Sequence, residues 1–190
     1  MDLYMLRTIA LAELALCWVA WSLAFIMARV RAAGQKKAAK ASASWWGIFL
    51  NLLGFGMILA NMHPFGYAKS LPSLIAAMVL APPAVVLAWA ATVHLGKNWR
   101  YEAAINEEHK LVMTGPYARV RHPIYLSMLL MLLATGAAWT WWPMLVAGLS
   151  FCLLGVEIRV RAEDRLLGER FQDAFYEYEE RTRAFIPFLH

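Results

Sequence analysis

Charge is scarce in this chain of 190 residues. Asp, Glu, Lys and Arg make up 16% of it and 61% is apolar, against ~25% charge in an ordinary soluble domain. Residues 45–62, 71–93 and 123–156 contain none of the four charged types, and residues 9–28 contain only Glu13. A core this small cannot hide so much apolar surface, which argues against a soluble globular enzyme; disorder and collagen fail on the same composition. Cysteine is limited to Cys17 and Cys152, both inside apolar blocks, where they read as small buried hydrophobes. A disulfide scaffold and a cysteine metal site therefore fall away. The chain has no G-x-x-x-x-G-K-[ST], no complete G-x-G-x-x-G and no serine in a nucleophile elbow. His94, His109 and His122 lack metal-ligand pairing, so no metal is expected.

What is present is a series of uncharged blocks joined by charged segments. A helix needs ~20 mostly apolar residues to span a bilayer. The blocks at about 8–28, 45–62 and 71–93 each read as one span, the first as an uncleaved one. Pro82-Pro83 should kink or break the third. The block from Pro123 to Val156 would be ~50 Å long as one helix, too long for a ~30 Å hydrocarbon core. Its centre reads Trp139-Thr140-Trp141-Trp142-Pro143, where proline breaks the helix and tryptophan favours the interface, so it divides into two antiparallel spans. The predicted fold is an all-α polytopic membrane bundle of about five transmembrane helices. Residues 1–190 form one integral membrane domain, with three N-terminal spans in 1–93 and a catalytic half in 94–190. Leu166, Leu167, Phe171, Phe175 and Tyr178 recur at three and four, predicting a C-terminal amphipathic helix on the membrane or capping the bundle.

The linker 29–44 carries Arg29, Arg31, Lys36, Lys37 and Lys40 and no acid, which makes it cytoplasmic. Alternation places the N-terminus outside and the C-terminus in the cytoplasm, and the expected location is a bacterial inner membrane. The net charge of +5 suits anionic inner-leaflet lipid, and no nucleic acid is expected as a partner. Glu13 reads as an interfacial or bundle-facing residue, and Gly54-Phe55-Gly56 as a helix-packing element.

Two charged stretches hold the candidate chemistry. Arg121-His122 stands just before a helix starting at Pro123. Free N–H groups there, with two cations, suit a carboxylate or phosphate; basic residues snorkelling at the headgroups are the equal alternative. Arg159 and Glu163 are four apart and share a helical face, as a functional pair or as part of a solvated, self-paired surface.

Taken together, Lys110-Leu-Val, Gly115-Pro-Tyr117 and Val120-Arg-His-Pro-x-Tyr125, followed by Arg159-x-x-x-Glu163-Asp164, Leu167-x-x-x-Phe171, Tyr178 and Ile186-Pro187, resemble the isoprenylcysteine carboxyl methyltransferase family. The resemblance covers about residues 94–188. It implies an integral membrane methyltransferase that uses S-adenosylmethionine and has no Rossmann domain. Its acceptor would be a lipophilic or lipidated molecule, an isoprenylcysteine-type carboxylate or a lipid amine. By that similarity His109, Lys110, Leu111, Val112, Gly115, Pro116 and Tyr117 would line the adenosine and sulfonium region. Arg121, His122 and Tyr125 would meet the methionine part, and Asp164 would belong to the cofactor site. Arg159 and Glu163 would stand beside substrate and methyl group as the catalytic pair. The chain departs from the family where Glu-Glu becomes Glu163-Asp164, Phe-Gly becomes Phe171-Gln172, and Phe175 replaces a common Tyr. Two rivals are an NADPH-dependent reductase of the sterol-reductase type, which shares an Arg-His-Pro-x-Tyr segment, and a non-enzymatic membrane protein.

Overall fold

The computed structural model describes residues 3–33, 39–40, 44–61, 70–99, 104–105 and 110–184. Six α-helices dominate: α1 (Leu3–Arg31), α2 (Ser44–Ala60), α3 (Leu71–Leu95), α4 (Pro123–Trp139), α5 (Trp142–Phe171) and α6 (Asp173–Arg181). Strands β1 (Ala39–Lys40) and β2 (Ala104–Ile105) pair antiparallel over two residues each, a small addition to the all-α expectation. The helices Leu3–Arg31, Leu71–Asn98 and Trp142–Phe171 are long and apolar enough to cross a membrane, while Trp45–Ala60 and Pro123–Trp139 are shorter apolar helices. The chain is an integral membrane protein on that evidence. The long block divides where the sequence indicates, α4 ending at Trp139 and α5 starting at Trp142.

Two expectations are corrected. Of the kink or break expected at Pro82-Pro83, the break does not occur, because α3 runs through both. Proline removes an N–H, but the rest of the ladder persists where packing holds the segment. Here Ala77, Ala81, Ala84, Ala88 and Ala91 form a buried small-residue face that lets neighbours approach. The single C-terminal amphipathic helix is instead divided. α5 ends at Phe171, Gln172 adopts φ 45°, and α6 departs in a new direction. That turn lets α6 bury Phe175 and Tyr178 against the bundle end.

The helices pack side by side in the order α1, α3, α4, α5, α2. α1 and α4 both lean on the alanine face of α3, enclosing Leu14, Met131, Ala134 and Ala138. α2 lies along α5 through two pairs of glycines, each seven residues apart on its own helix. A Cβ on Gly54 would lie 2.5 Å from the carbonyl oxygen of Gly148, and one on Gly155 would lie 2.6 Å from that of Gly47. Backbone meets backbone there, which glycine alone permits. Gly54 thus fulfils its expected packing role, whereas Gly56 faces open space. The row closes on itself where Trp18 of α1 meets Phe55 of α2, edge to face at 5.9 Å. A cavity lies inside that closure.

Candidate functional site at the charged end of the bundle

The cavity measures about 540 Å3 and draws on α1, α2, α4, α5, α6 and the segment between α3 and α4, a size common among small-molecule sites. One side is aromatic and apolar. Trp18, Trp21 and Phe25 of α1 project into it, opposite Ile48, Leu52 and Phe55 of α2. The rings run on in contact: Trp18 to Trp21 at 5.4 Å, Trp21 to Phe25 at 4.7 Å, Phe25 to Trp99 at 6.4 Å. Both indole N–H groups are satisfied on α4, Trp18 by Thr135 Oγ1 at 3.0 Å and Trp21 by Ser127 Oγ at 3.4 Å.

The other side is charged. His122 caps α4, and Arg121 precedes it. His122 Nε2 lies 2.8 Å from Asp164 Oδ1, and Nδ1 lies 3.5 Å from Glu163 Oε2. Burial works against a charge on this ring, but hydrogen bonds to both carboxylates, and their field, outweigh it and push His122 up to about 9. The ring is therefore an imidazolium at neutral pH. Tyr125, one turn into α4, donates its hydroxyl to Glu163 Oε1, and the Arg159 guanidinium lies over the Tyr125 ring at 5.0 Å. Arg121 donates to Glu179 Oε1 at 2.9 Å, to Asp164 Oδ2 at 3.4 Å and to the carbonyl of Thr182 at 2.6 Å. Three cations face three carboxylates, so the cluster is near neutral despite its burial.

Beside this helix start the backbone N–H groups of the two cations are bonded within the chain, while Tyr125 N–H, inside the first turn, donates to His122 O at 3.1 Å. Arg121 N–H donates to Arg183 O at 2.7 Å and His122 N–H to Ala184 O at 2.9 Å. The tail after α6 thus runs beside residues 120–122 as a parallel strap. Arg121 Nε is buried and has no hydrogen-bond partner.

Gly115–Ala118 forms a 3-10 turn that brings Tyr117 to the cavity. Gly115 has φ 62°, and a Cβ there would collide with the His94 ring, so the position demands glycine twice over. His94 is itself oriented by a 2.7 Å contact from Nδ1 to Ala90 O. Tyr178 donates to Tyr117 O at 2.6 Å, and burial pushes its phenol up to about 12.

Of the residues singled out in the sequence, Lys110, Leu111, Val112, Tyr117, Arg121, His122, Tyr125, Arg159 and Glu163 all line this one cavity. Gly115 and Pro116 shape the turn behind it, and Asp164 stands behind His122 and Arg121. His109 lies outside the described residues. Sequence reasoning missed the α1 aromatics, Asn51 and Phe55 on α2, Trp99, and Asn98, which brackets Lys110 through both its backbone groups. The only sequence signal for the first group was the density of tryptophan in α1. Among the described residues no group of His, Cys, Asp and Glu has the makings of a metal site.

Comparison with known proteins bears on the same region. The model of the isoprenylcysteine carboxyl methyltransferase (ICMT) family matches residues 74–169, just over half of the chain. The cobalt-zinc-cadmium resistance protein CzcN of Cupriavidus metallidurans is 39% identical over 84 residues, 44% of this chain and 38% of that protein. The nickel-cobalt-cadmium resistance protein NccN of Alcaligenes xylosoxydans xylosoxydans is 36% identical over 81 residues, 42% of this chain and 37% of that protein. The matched stretch is thus under two fifths of the length of either relative.

Proposed function

The chain belongs to the isoprenylcysteine carboxyl methyltransferase family, a family of integral membrane methyltransferases. From that premise we propose that it moves a methyl group from S-adenosylmethionine to the carboxylate of a lipophilic acceptor, of the isoprenylcysteine type, at the cytoplasmic face of the membrane. The observation that carries this reading is the cavity itself, which joins a charged end to an aromatic, apolar one. A polar cofactor and a lipophilic acceptor need that combination.

When bound, S-adenosylmethionine supplies an electrophilic methyl group on a sulfonium sulfur. The lining suits such a molecule. Arg121 Nε is a buried donor with no partner on the cavity wall, the counterpart of a carboxylate. Tyr117 and Tyr178 offer aromatic faces to a cation. We assign Lys110, Leu111, Val112, Tyr117, Arg121, His122 and Tyr125 to cofactor contact. Gly115, Pro116 and Asp164 hold those residues in place, and the family resemblance adds His109. Arg159 and Glu163 face the reacting groups.

Arg159 brings a buried guanidinium to the cavity wall, set over the Tyr125 ring, and an acceptor carboxylate would meet it there. A carboxylate attacks without losing a proton, whereas an amine acceptor needs a general base. His122 cannot supply one near neutral pH, since its neighbours keep it protonated up to about 9, and Glu163, the nearest candidate base, is already held by Tyr125 and His122. The carboxylate therefore ranks first. The protein's contribution is alignment of nucleophile and methyl group and exclusion of water. In this reading residues 1–190 form one membrane domain of five spans in a bacterial inner membrane. Residues 94–190 carry the cofactor, 1–93 wall the acceptor, and the N-terminus lies outside with the C-terminus in the cytoplasm.

The test incubates membranes containing the protein with methyl-labelled S-adenosylmethionine and then extracts lipid. Label should appear in the lipid and be released as methanol by mild base, the behaviour of a methyl ester. Base-stable label would replace the carboxylate by an amine. No label, together with NADPH-dependent reduction of lipid, would overturn the methyltransferase reading.

A further inference from the structure

Asn51 sits in the middle of α2, on the apolar side of the cavity, and is only 3% exposed. Its Oδ1 accepts a hydrogen bond from the Cys152 thiol at 3.4 Å. Its Nδ2 is buried and has no partner. The indoles on the opposite wall are satisfied within the protein, so Asn51 differs from them. A buried amide donor without an acceptor is destabilising, and an acceptor atom brought by a ligand would reverse that cost.

Its depth is readable from α5. A Cβ on Gly155 would lie 2.8 Å from Asn51 Oδ1, so the carboxamide stands level with Gly155. Glu163 is two turns further along the same helix, ~12 Å away at 1.5 Å per residue. The family match begins at residue 74, so α2 and this asparagine lie outside the matched part.

The geometry points to a second polar subsite: Asn51 Nδ2 donates to a carbonyl or ether oxygen in the tail of the lipophilic acceptor, about 12 Å from the group methylated beside Glu163. The substrate class is then an oxygen-bearing lipophile and not a plain hydrocarbon tail. This rests on the methyl-acceptor reading for the position of the head group, but the subsite itself is a matter of binding.

Binding is accordingly the test, with no cofactor present. The full chain in detergent is titrated with two long-chain carboxylic acids of equal length, one carrying a keto oxygen about 12 Å from the carboxylate and one unsubstituted. Tryptophan fluorescence reports, since Trp18 and Trp21 line the cavity. Wild type should bind the keto acid roughly tenfold more tightly. In Asn51→Leu that preference should vanish while the unsubstituted acid still binds, which also shows that the variant is folded; Asn51→Ala serves if Leu is not accommodated. Equal affinity of wild type for the two acids, or binding of neither, overturns the subsite, as does a preference that survives the substitution. Methyl transfer is then measured separately. A keto preference without transfer to either acid leaves the subsite standing and refutes only the acceptor reading.

Discussion

His122 owes its charge to Asp164 and Glu163, and that debt makes its contribution to stability depend on pH. Its pKa is near 6.5 when unfolded and is raised to about 9 in the fold. A raised pKa means that the stabilisation is fully present below about 6.5 and is lost as pH rises through about 9, a total on the order of 3 kcal/mol. Melting of the wild type should therefore fall between pH 7 and 9.5, relative to His122→Asn measured over the same range. Parallel curves would show that the ring is not the titrating group. Arg121 is tied differently. Its guanidinium holds Asp164, Glu179 and the Thr182 carbonyl at once, so Arg121→Ala leaves Asp164 to His122 alone, takes this partner from Glu179 and leaves the tail strap to its backbone bonds. Loss of one partner from a buried ion pair costs about 3–5 kcal/mol. Arg121→Lys should recover little of it, because an ammonium cannot fork. Protease cutting after α6, with the melting temperature, checks both; unchanged values for Arg121→Ala would show that the strap does not depend on this side chain.

The helices offer two contrasts in which position outweighs residue type. Gly54 and Gly56 are two residues apart on α2, yet a Cβ on Gly54 would meet the Gly148 backbone at 2.5 Å and one on Gly56 would meet nothing. Gly54→Ala should separate α2 from α5 and cost about 1–3 kcal/mol. Gly56→Ala should be neutral or stabilising by up to about 1 kcal/mol, from helix propensity alone. Equal effects in an unfolding titration would mean that α2 does not pack on α5 by this face. Gln172 makes the converse case. It holds φ 45° between α5 and α6, a conformation that strains a residue with a Cβ. Gln172→Gly should raise stability by about 1 kcal/mol; a fall in the melting temperature would show that the side chain carries an interaction worth more than the strain. The sequence offered a hint, since this is the position at which the related family has glycine.

Over the whole molecule, the buried charges of the site gather at one end of the bundle. Arg121, His122, Arg159, Glu163, Asp164 and Glu179 meet in one cluster although they come from three separate segments. The proposed five-span topology would put that end in the cytoplasm, together with the basic linker 29–44. Single cysteines placed at Lys36 and at Glu180, in a chain whose Cys17 and Cys152 are replaced by Ala, should both resist an impermeant thiol reagent applied outside cells and both react once the membrane is opened. Reaction of one site and not the other from outside would overturn the five-span topology, and reaction of both would reverse its orientation.

The sequence by itself determined the membrane class, the division of the last apolar block at Trp139–Trp142, and the separate motifs within 110–125 and within 159–164. Those are local matters. Stretches without charge must leave water, tryptophan and proline mark the end of a span, and motif residues lie within a turn or two of one another. The structure decided what depends on distant segments meeting. Nothing along the chain tells that residues 183–184 dock beside Arg121 and His122 and take up their N–H groups. Pro82-Pro83 read as a kink or a break, and α3 continues through both where its alanine face packs against α1 and α4. Trp18, Asn51 and Phe55 read as ordinary membrane residues, because nothing along the chain tells a lipid-facing side chain from one turned into a cavity. That direction is set by which helices pack beside which, and here it turns on glycines of α2 and α5 that meet across a hundred residues of chain.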